Sequence, residues 1–199
     1  KKRIDAIGGE MDPGIIETVA AFNLLGIPTS GSCEGHLDHG NINPWIHIQA
    51  ENRPKERFVN EAVIRKAAAE QFGISPENIY RGFNQNPQAN RKFYEAVQDA
   101  EETSEYKKWR AKNDELARTL VVWIKEFYGD LKPDGVIAIG LRGVGGLAGM
   151  IQSGPNEKAP KNMNETNKKL FKQKLKARQE EMKRFTEFLK EKYMSGGNL

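Results

Sequence analysis

Val136-Ile-Ala-Ile-Gly-Leu-Arg-Gly-Val-Gly-Gly-Leu-Ala-Gly-Met-Ile-Gln152 is the stretch on which the fold class turns. An apolar run followed by Gly143-x-Gly145-x-x-Ala148 has the outline of a strand entering the glycine-rich turn of a dinucleotide-binding unit, where a helix N-terminus receives a pyrophosphate. That reading needs a helix after the glycines, but Ser153-Gly154-Pro155 closes the segment roughly two helical turns later. It also needs an acidic ribose partner on a next strand about 20 residues on, and none appears. A β-hairpin explains the same letters with less strain: Val136 to Leu141, a glycine-rich turn, and Leu147 to Gln152 returning. The chain is therefore read as α+β with mostly antiparallel pairing.

Outward from this hairpin, residues 27–33 and 44–50 read as two more strands of the same sheet. In Trp45-Ile-His-Ile-Gln49 the residues alternate, so Ile46 and Ile48 share one face while Trp45, His47 and Gln49 share the other. Asp12-Pro13 has the form of an N-cap followed by proline at N1, and Ile15, Ile16, Val19, Phe22 and Leu25 recur at helical spacing until Gly26. Helices are predicted over 54–72, over about 87–101 and over 104–128, the last apolar through Leu116, Leu120, Trp123, Ile124 and Phe127. Ser75-Pro-Glu begins a short turn, and Ile79-Tyr-Arg-Gly-Phe83 fits a strand or a loop equally well.

Residues 155–163 read as a Pro/Asn/Lys linker, and Asn164 to about Tyr193 as one long helix. Its apolar stripe is Phe171, Leu175, Met182, Phe185, Leu189 and Tyr193, with Arg178 standing where another apolar residue would fit. A stripe this narrow needs a groove to pack into, on the body or on a second copy in a homodimer. The expected organisation is an α+β domain over 1–154 with a small sheet covered by helices, a linker over 155–163, and an appended basic amphipathic helix over 164–194. The tail Ser195–Leu199 is expected to be disordered.

A chain of 199 residues suffices for one sizeable core. Its single cysteine excludes an internal disulfide. No apolar run reaches the roughly 20 residues of a membrane span, and the lysine-rich start lacks the apolar stretch of a signal peptide. These features lead to the expectation of a cytoplasmic protein that does not engage a membrane. The net charge of +4 is modest, but lysines and arginines far outnumber acids between 158 and 192. A solvated helix face accounts for that excess as readily as an acidic partner such as nucleic acid.

All three histidines and the cysteine fall within residues 33–47: Cys33, His36, His39 and His47. Cys33, His36 and His39 repeat at three-residue intervals in a loop where Gly35 and Gly40 supply turns, a spacing that lets all three meet one ion. Zinc is the default ion for a thiolate with imidazoles. Three protein ligands would leave a position for water, whereas adding His47 or Asp38 would close a structural shell. The same parts allow a Cys33 nucleophile with His36 or His39 as base, oriented by Glu34 or Asp38. Against both stands a plain alternative, in which Cys33 is a small buried side chain at a strand end and the histidines are loop surface. If the hairpin lies beside this loop, Arg142 adds an anion-binding group. Trp45, Tyr80 and Phe83 are candidates for stacking a ring, or for the core.

The run Asn23-Leu-Leu-Gly-Ile-Pro-Thr-Ser-Gly-Ser-Cys-Glu-Gly-His36, followed by Pro44-Trp-Ile-His-Ile48, resembles a group of uncharacterised bacterial and phage proteins. They share a helix, a Gly-Ile turn and a Ser-Cys-x-Gly-His loop before a strand. The loop also resembles the Ser-Cys-Ser-Gly loop of wybutosine-tRNA methyltransferases of the third type, although His36 stands where that family has a basic residue. The first likeness implies no activity; the second implies a link to tRNA or S-adenosylmethionine. From the residues, the leading expectation is a small metal-assisted hydrolase or group-transfer enzyme acting on an anionic substrate. Its catalytic groups would be Cys33, Glu34, His36 and Asp38, with Arg142 and Trp45 binding substrate. The alternative is a non-enzymatic module that binds nucleic acid or protein and carries a structural Cys/His cluster.

Overall fold

The computed structural model describes residues 10–39, 41–79, 86–143, 148–160 and 162–196. The chain divides into two compact units, one formed by residues 1–51 with 112–199 and the other by 52–111. The first unit holds the sheet. Strands β1 (Thr29–Cys33), β2 (Trp45–Ile48), β3 (Ile139–Arg142) and β4 (Gly149–Ser153) lie in the order β1-β2-β4-β3, and every neighbouring pair is antiparallel. The fold is thus α+β, and the decisive stretch is a hairpin closed by the Arg142–Met150 pair. Its tip, 144–147, lies outside the described residues, as do Gly40, Tyr80 to Phe83 and the last three residues of the tail. β3 starts three residues later than its apolar run suggests. Val136 and Ile137 instead turn over Asp134, donating their N–H groups to its side chain (2.9 Å) and carbonyl (3.0 Å).

One face of the sheet is core. Ile46, Ile48 and Ile151 are fully buried, and this face meets α1 (Ile16–Leu24) and α5 (Glu165–Met194). The two helices join through Phe22 and Phe185, whose rings are 6.1 Å apart, and through the hydroxyls of Thr18 and Thr186 at 2.8 Å. From the later turns of α4 (Ser104–Tyr128), Phe127 packs edge-on against Phe185. Tyr128 donates its hydroxyl to Glu181 while accepting the N–H of Ile139, both at 2.7 Å. The long helix therefore belongs to the sheet's own unit. Met182, Phe185 and Leu189 are buried, Phe171 and Leu175 half-buried, and Tyr193 exposed. Three buried side chains of this size contribute roughly 5–9 kcal/mol, comparable with the whole stability of a domain.

Arg178 is the apparent interruption of the stripe, and it is fully buried. Its Nε donates to the Val136 carbonyl (3.0 Å) and Nη2 to the Glu157 carboxylate (2.8 Å), which also accepts from Lys174 at 2.8 Å. Together with Asn43, whose amide donates to the carbonyls of Ser153 and Pro155, these bonds pin the segment read as the start of a linker.

The second unit contains α2 (Glu61–Gln71) and α3 (Pro87–Val97), packed around Ala69, Ile79, Phe93 and Val97, together with the first turns of α4. α2 begins seven residues later than predicted. Phe58 forms a bridge with Glu102, and Asn60 takes a left-handed φ of +60° that stops the helix extending backwards. Glu61 caps it from within by accepting the Phe58 N–H at 3.0 Å.

Three outcomes test this packing. Truncation before Ala159 should abolish cooperative unfolding of the sheet unit, since it removes core residues, and a folded truncated protein would contradict the placement of α5. Arg178→Ala should cost about 3 kcal/mol or more in urea unfolding, because it breaks a buried ion pair and leaves a void. Partial burial works against the Glu157 carboxylate, but bonds and charge from Lys174 and Arg178 outweigh it and hold its pKa below the ordinary 4.5. A depressed folded pKa means that this stabilisation is complete above about 4.5 and fades as the pH falls further. The stability gap between wild type and Glu157→Gln should shrink in that range and stay flat above it.

Candidate functional site

β1 delivers Cys33 at its end, opposite Trp45 of β2. The chain then turns at Gly35, whose φ of +85° and surroundings both demand glycine. A Cβ there would lie 2.9 Å from the Ile42 carbonyl oxygen and 3.0 Å from a Leu175 methyl carbon. The Gly35 N–H points at the Cys33 sulfur at 3.3 Å, and the His36 N–H donates to the Asn41 carbonyl at 3.0 Å, closing the loop.

Asp12 occupies the N-cap of the 3-10 turn Pro13–Ile15, yet its carboxylate makes no capping bond. Oδ2 instead accepts the N–H of Glu34 at 3.1 Å and lies 3.0 Å from His36 Nε2. Glu34 reciprocates, its Oε2 accepting the Gly14 N–H at 2.6 Å. This is an exchange of caps across the chain: Glu34 satisfies a donor that the helix start leaves open, and Asp12 is released to face the loop. A Cβ on residue 14 would lie 2.5 Å from that Glu34 oxygen, so glycine makes the exchange possible.

The result is that one ligand atom each from Asp12, Cys33 and His36 falls within 4.8 Å of the others, and all three residues are half-buried. His36 stacks on His39 with ring centroids 4.1 Å apart. His39 Nδ1 is 2.8 Å from Asp38 Oδ1, and His36, Asp38 and His39 form a second, more exposed grouping. Burial would raise the pKa of Asp12, but the Glu34 N–H and His36 outweigh it and keep the carboxyl below its ordinary value. Burial pushes the Cys33 thiol up to about 11, with the charges of Asp12 and Glu34 adding to the effect and the Gly35 N–H opposing it. As the structure stands, Cys33 is a neutral thiol at neutral pH, which disfavours a free thiolate nucleophile.

Sequence proximity does not carry over for every candidate. His47 points from β2 beside Trp45, ring centroids 4.5 Å apart, and joins neither grouping; desolvation lowers its pKa. Arg142 is on β3, in register with Met150, His47 and Gly31, while Cys33 is on β1. The two share a face of the sheet but sit at opposite edges, three strand spacings or roughly 14 Å apart. The expected composite of Arg142 with the cysteine loop is therefore not formed. Arg142 lines a separate cavity of about 320 Å³ with Gly140, Gln152 and Asn156. Beside the cluster lies instead a cleft of about 590 Å³ between α1 and α5, bordered by Gly14, Glu17, Glu34, Lys176, Gln179 and Lys183. Asp12 is the residue that loop spacing could not reveal. Its one signal is a proline-started turn whose cap residue is free to bond elsewhere.

Because the chain has one cysteine, thiol chemistry reports on this site alone. Metal-free protein at neutral pH should be alkylated at least about tenfold more slowly than a free thiol of ordinary pKa, because the loss of thiolate outweighs the greater nucleophilicity of a more basic sulfur. A rate matching the free thiol would show that Cys33 does not sit in the environment described.

No family model matches the chain, and neither a curated protein nor a solved structure matches it.

Proposed function

We propose that Asp12, Cys33 and His36 hold a zinc ion and that the chain is a small metal-dependent hydrolase with Glu34 as its general base. The observation that carries this reading is the convergence of a carboxylate, a thiol and an imidazole from two separate segments within 4.8 Å. Carboxylate, thiolate and imidazole together suit zinc, and binding would displace the protons these groups now share. An ion with three protein ligands keeps a position for water and lowers that water's pKa toward neutrality. In this arrangement Asp12 takes the place expected of His39 or His47, while Asp38 and His39 form an exposed pair at the rim. Glu34 borders the cleft with its backbone N–H bonded to Asp12 and its carboxylate bonded to the Gly14 N–H, which supports a role as base toward water entering there.

The expectation of an anionic substrate loses Arg142 as its support. Lys176 and Lys183 are the cations bordering the cleft, interspersed with Glu17, Glu34 and Glu180. Such a lining suits an ester or amide that carries both an anionic group and hydrogen-bond donors.

Purified protein should hold near-stoichiometric zinc by elemental analysis, and Cys33→Ser/His36→Ala should lose it. Zinc at a hundred times its dissociation constant should stabilise the wild type by about 2.7 kcal/mol and leave the double variant unmoved. On a panel of chromogenic esters and amides, Glu34→Gln should retain zinc and lose hydrolysis at least a hundredfold. Wild-type protein that binds no zinc, or whose melting temperature ignores it, would overturn the reading. Undiminished hydrolysis by Glu34→Gln would remove the base assignment.

A further inference from the structure

We infer that the N-terminal half of α5 binds the phosphate backbone of a nucleic acid through a lysine stripe separate from the Asp12/Cys33/His36 cluster. Between residues 158 and 176 the sequence has seven lysines and one acid, Glu165. Lys158, Lys168, Lys169, Lys172 and Lys176 are exposed. On a helix, Lys168, Lys172 and Lys176 recur at four-residue steps along one side, and Lys183 continues the line. From 168 to 183 that line runs about 22 Å, long enough to follow several phosphates of one strand.

Ion pairing separates this half of the helix from an ordinary solvated face. In the C-terminal half Arg184 pairs with Glu181 (2.7 Å), Lys190 with Glu17 (2.8 Å) and Glu187 (3.0 Å), and Lys192 with Glu126 (2.6 Å), which leaves Lys183 as the cation there without an ion pair among the described residues. In the N-terminal half Lys174 and Arg178 are taken up by Glu157, each at 2.8 Å, but on the open side Lys168 and Lys176 approach Glu165 and Glu180 only at 3.9 and 3.8 Å in exposed settings, where a pair contributes little. Among the described residues Lys158, Lys169 and Lys172 have no ion-pair partner. Like charges four apart oppose helix formation, so this stretch sustains a repulsion that a polyanion would relieve.

The same stretch is open to a large ligand. Every residue from Glu165 to Leu170 is exposed, and the helix start is held by its own cap, Asn164 accepting the Asn167 N–H at 2.8 Å. A membrane surface fits less well, because interfacial helices insert a continuous apolar face. Here Met182, Phe185 and Leu189 are buried in the unit, leaving Leu170 alone on the open stretch.

Fluorescence anisotropy with a labelled polyuridine oligonucleotide across a salt series tests the inference on the full chain. Binding is expected at low salt, with the logarithm of affinity falling by about 0.7 per phosphate contact for each decade of salt. Lys168→Gln/Lys169→Gln/Lys172→Gln, which keeps helix propensity, should weaken binding at least tenfold and flatten the slope by about 0.7 per lost contact. Lys190→Gln/Lys192→Gln, matched in kind but drawn from paired lysines, should leave binding within twofold. Cys33→Ser/His36→Ala should also bind as wild type, which keeps this inference distinct from the metal reading. It is overturned by absence of binding at low salt or by equal weakening in the two lysine variants. Stronger capture by phosphatidylserine/phosphatidylcholine vesicles than by the oligonucleotide would overturn it as well.

Discussion

The Asp12 carboxylate ties the start of the first helix to the loop leaving the first strand, and the candidate site exists because of that tie. Its Oδ2 serves the Glu34 N–H and the His36 ring together. Hydrogen bonds to a charged group are worth about 1.5–3 kcal/mol each, enough to keep a half-buried carboxylate ionised against its desolvation. The return bond from the Gly14 N–H to Glu34 makes the arrangement mutual. Neither carboxylate is spent on a local cap, so both are available to chemistry between the helix and the loop.

The loop is braced from behind by α5. Leu175 lies under Gly35, Gln179 donates to the Glu34 carbonyl at 3.2 Å, and the Ile42 N–H is accepted by Glu157, which Arg178 and Lys174 hold. One helix therefore supports the site with its buried face and presents lysines on its open one. Those lysines lead toward the cleft that Lys176 and Glu34 share. A strand bound along α5 would run to the mouth of the site, a geometric link between two properties whose energetics are separate.

Much of the architecture was legible in the letters. Alternation in Trp45–Gln49 placed Ile46 and Ile48 in the core, and the early stop at Ser153-Gly154-Pro155 separated a hairpin from a dinucleotide-binding turn. Long periodic segments such as 104–128 gave their helix directly. Boundaries failed where side chains compete with periodicity, as at Asp134, which turns Val136 and Ile137 out of their strand, and at Asn60, which delays α2. Arg178 looked like a break in an apolar stripe because its value lies in partners 21 and 42 residues away. The site was half legible. Cys33 and His36 stand out by clustering, but Asp12 joins them only through tertiary structure. Arg142 is kept from them by a strand order that no local pattern specifies.

The central claim, one ion shared by Asp12, Cys33 and His36, is tested most directly by X-ray absorption at the zinc edge on the metal-loaded protein. One sulfur at about 2.3 Å accompanied by nitrogen and oxygen neighbours at about 2.0–2.2 Å, with the sulfur shell lost in Cys33→Ser, is the predicted result. A zinc shell made only of nitrogen and oxygen in the wild type would contradict the account, as that ion would be held elsewhere than at Cys33.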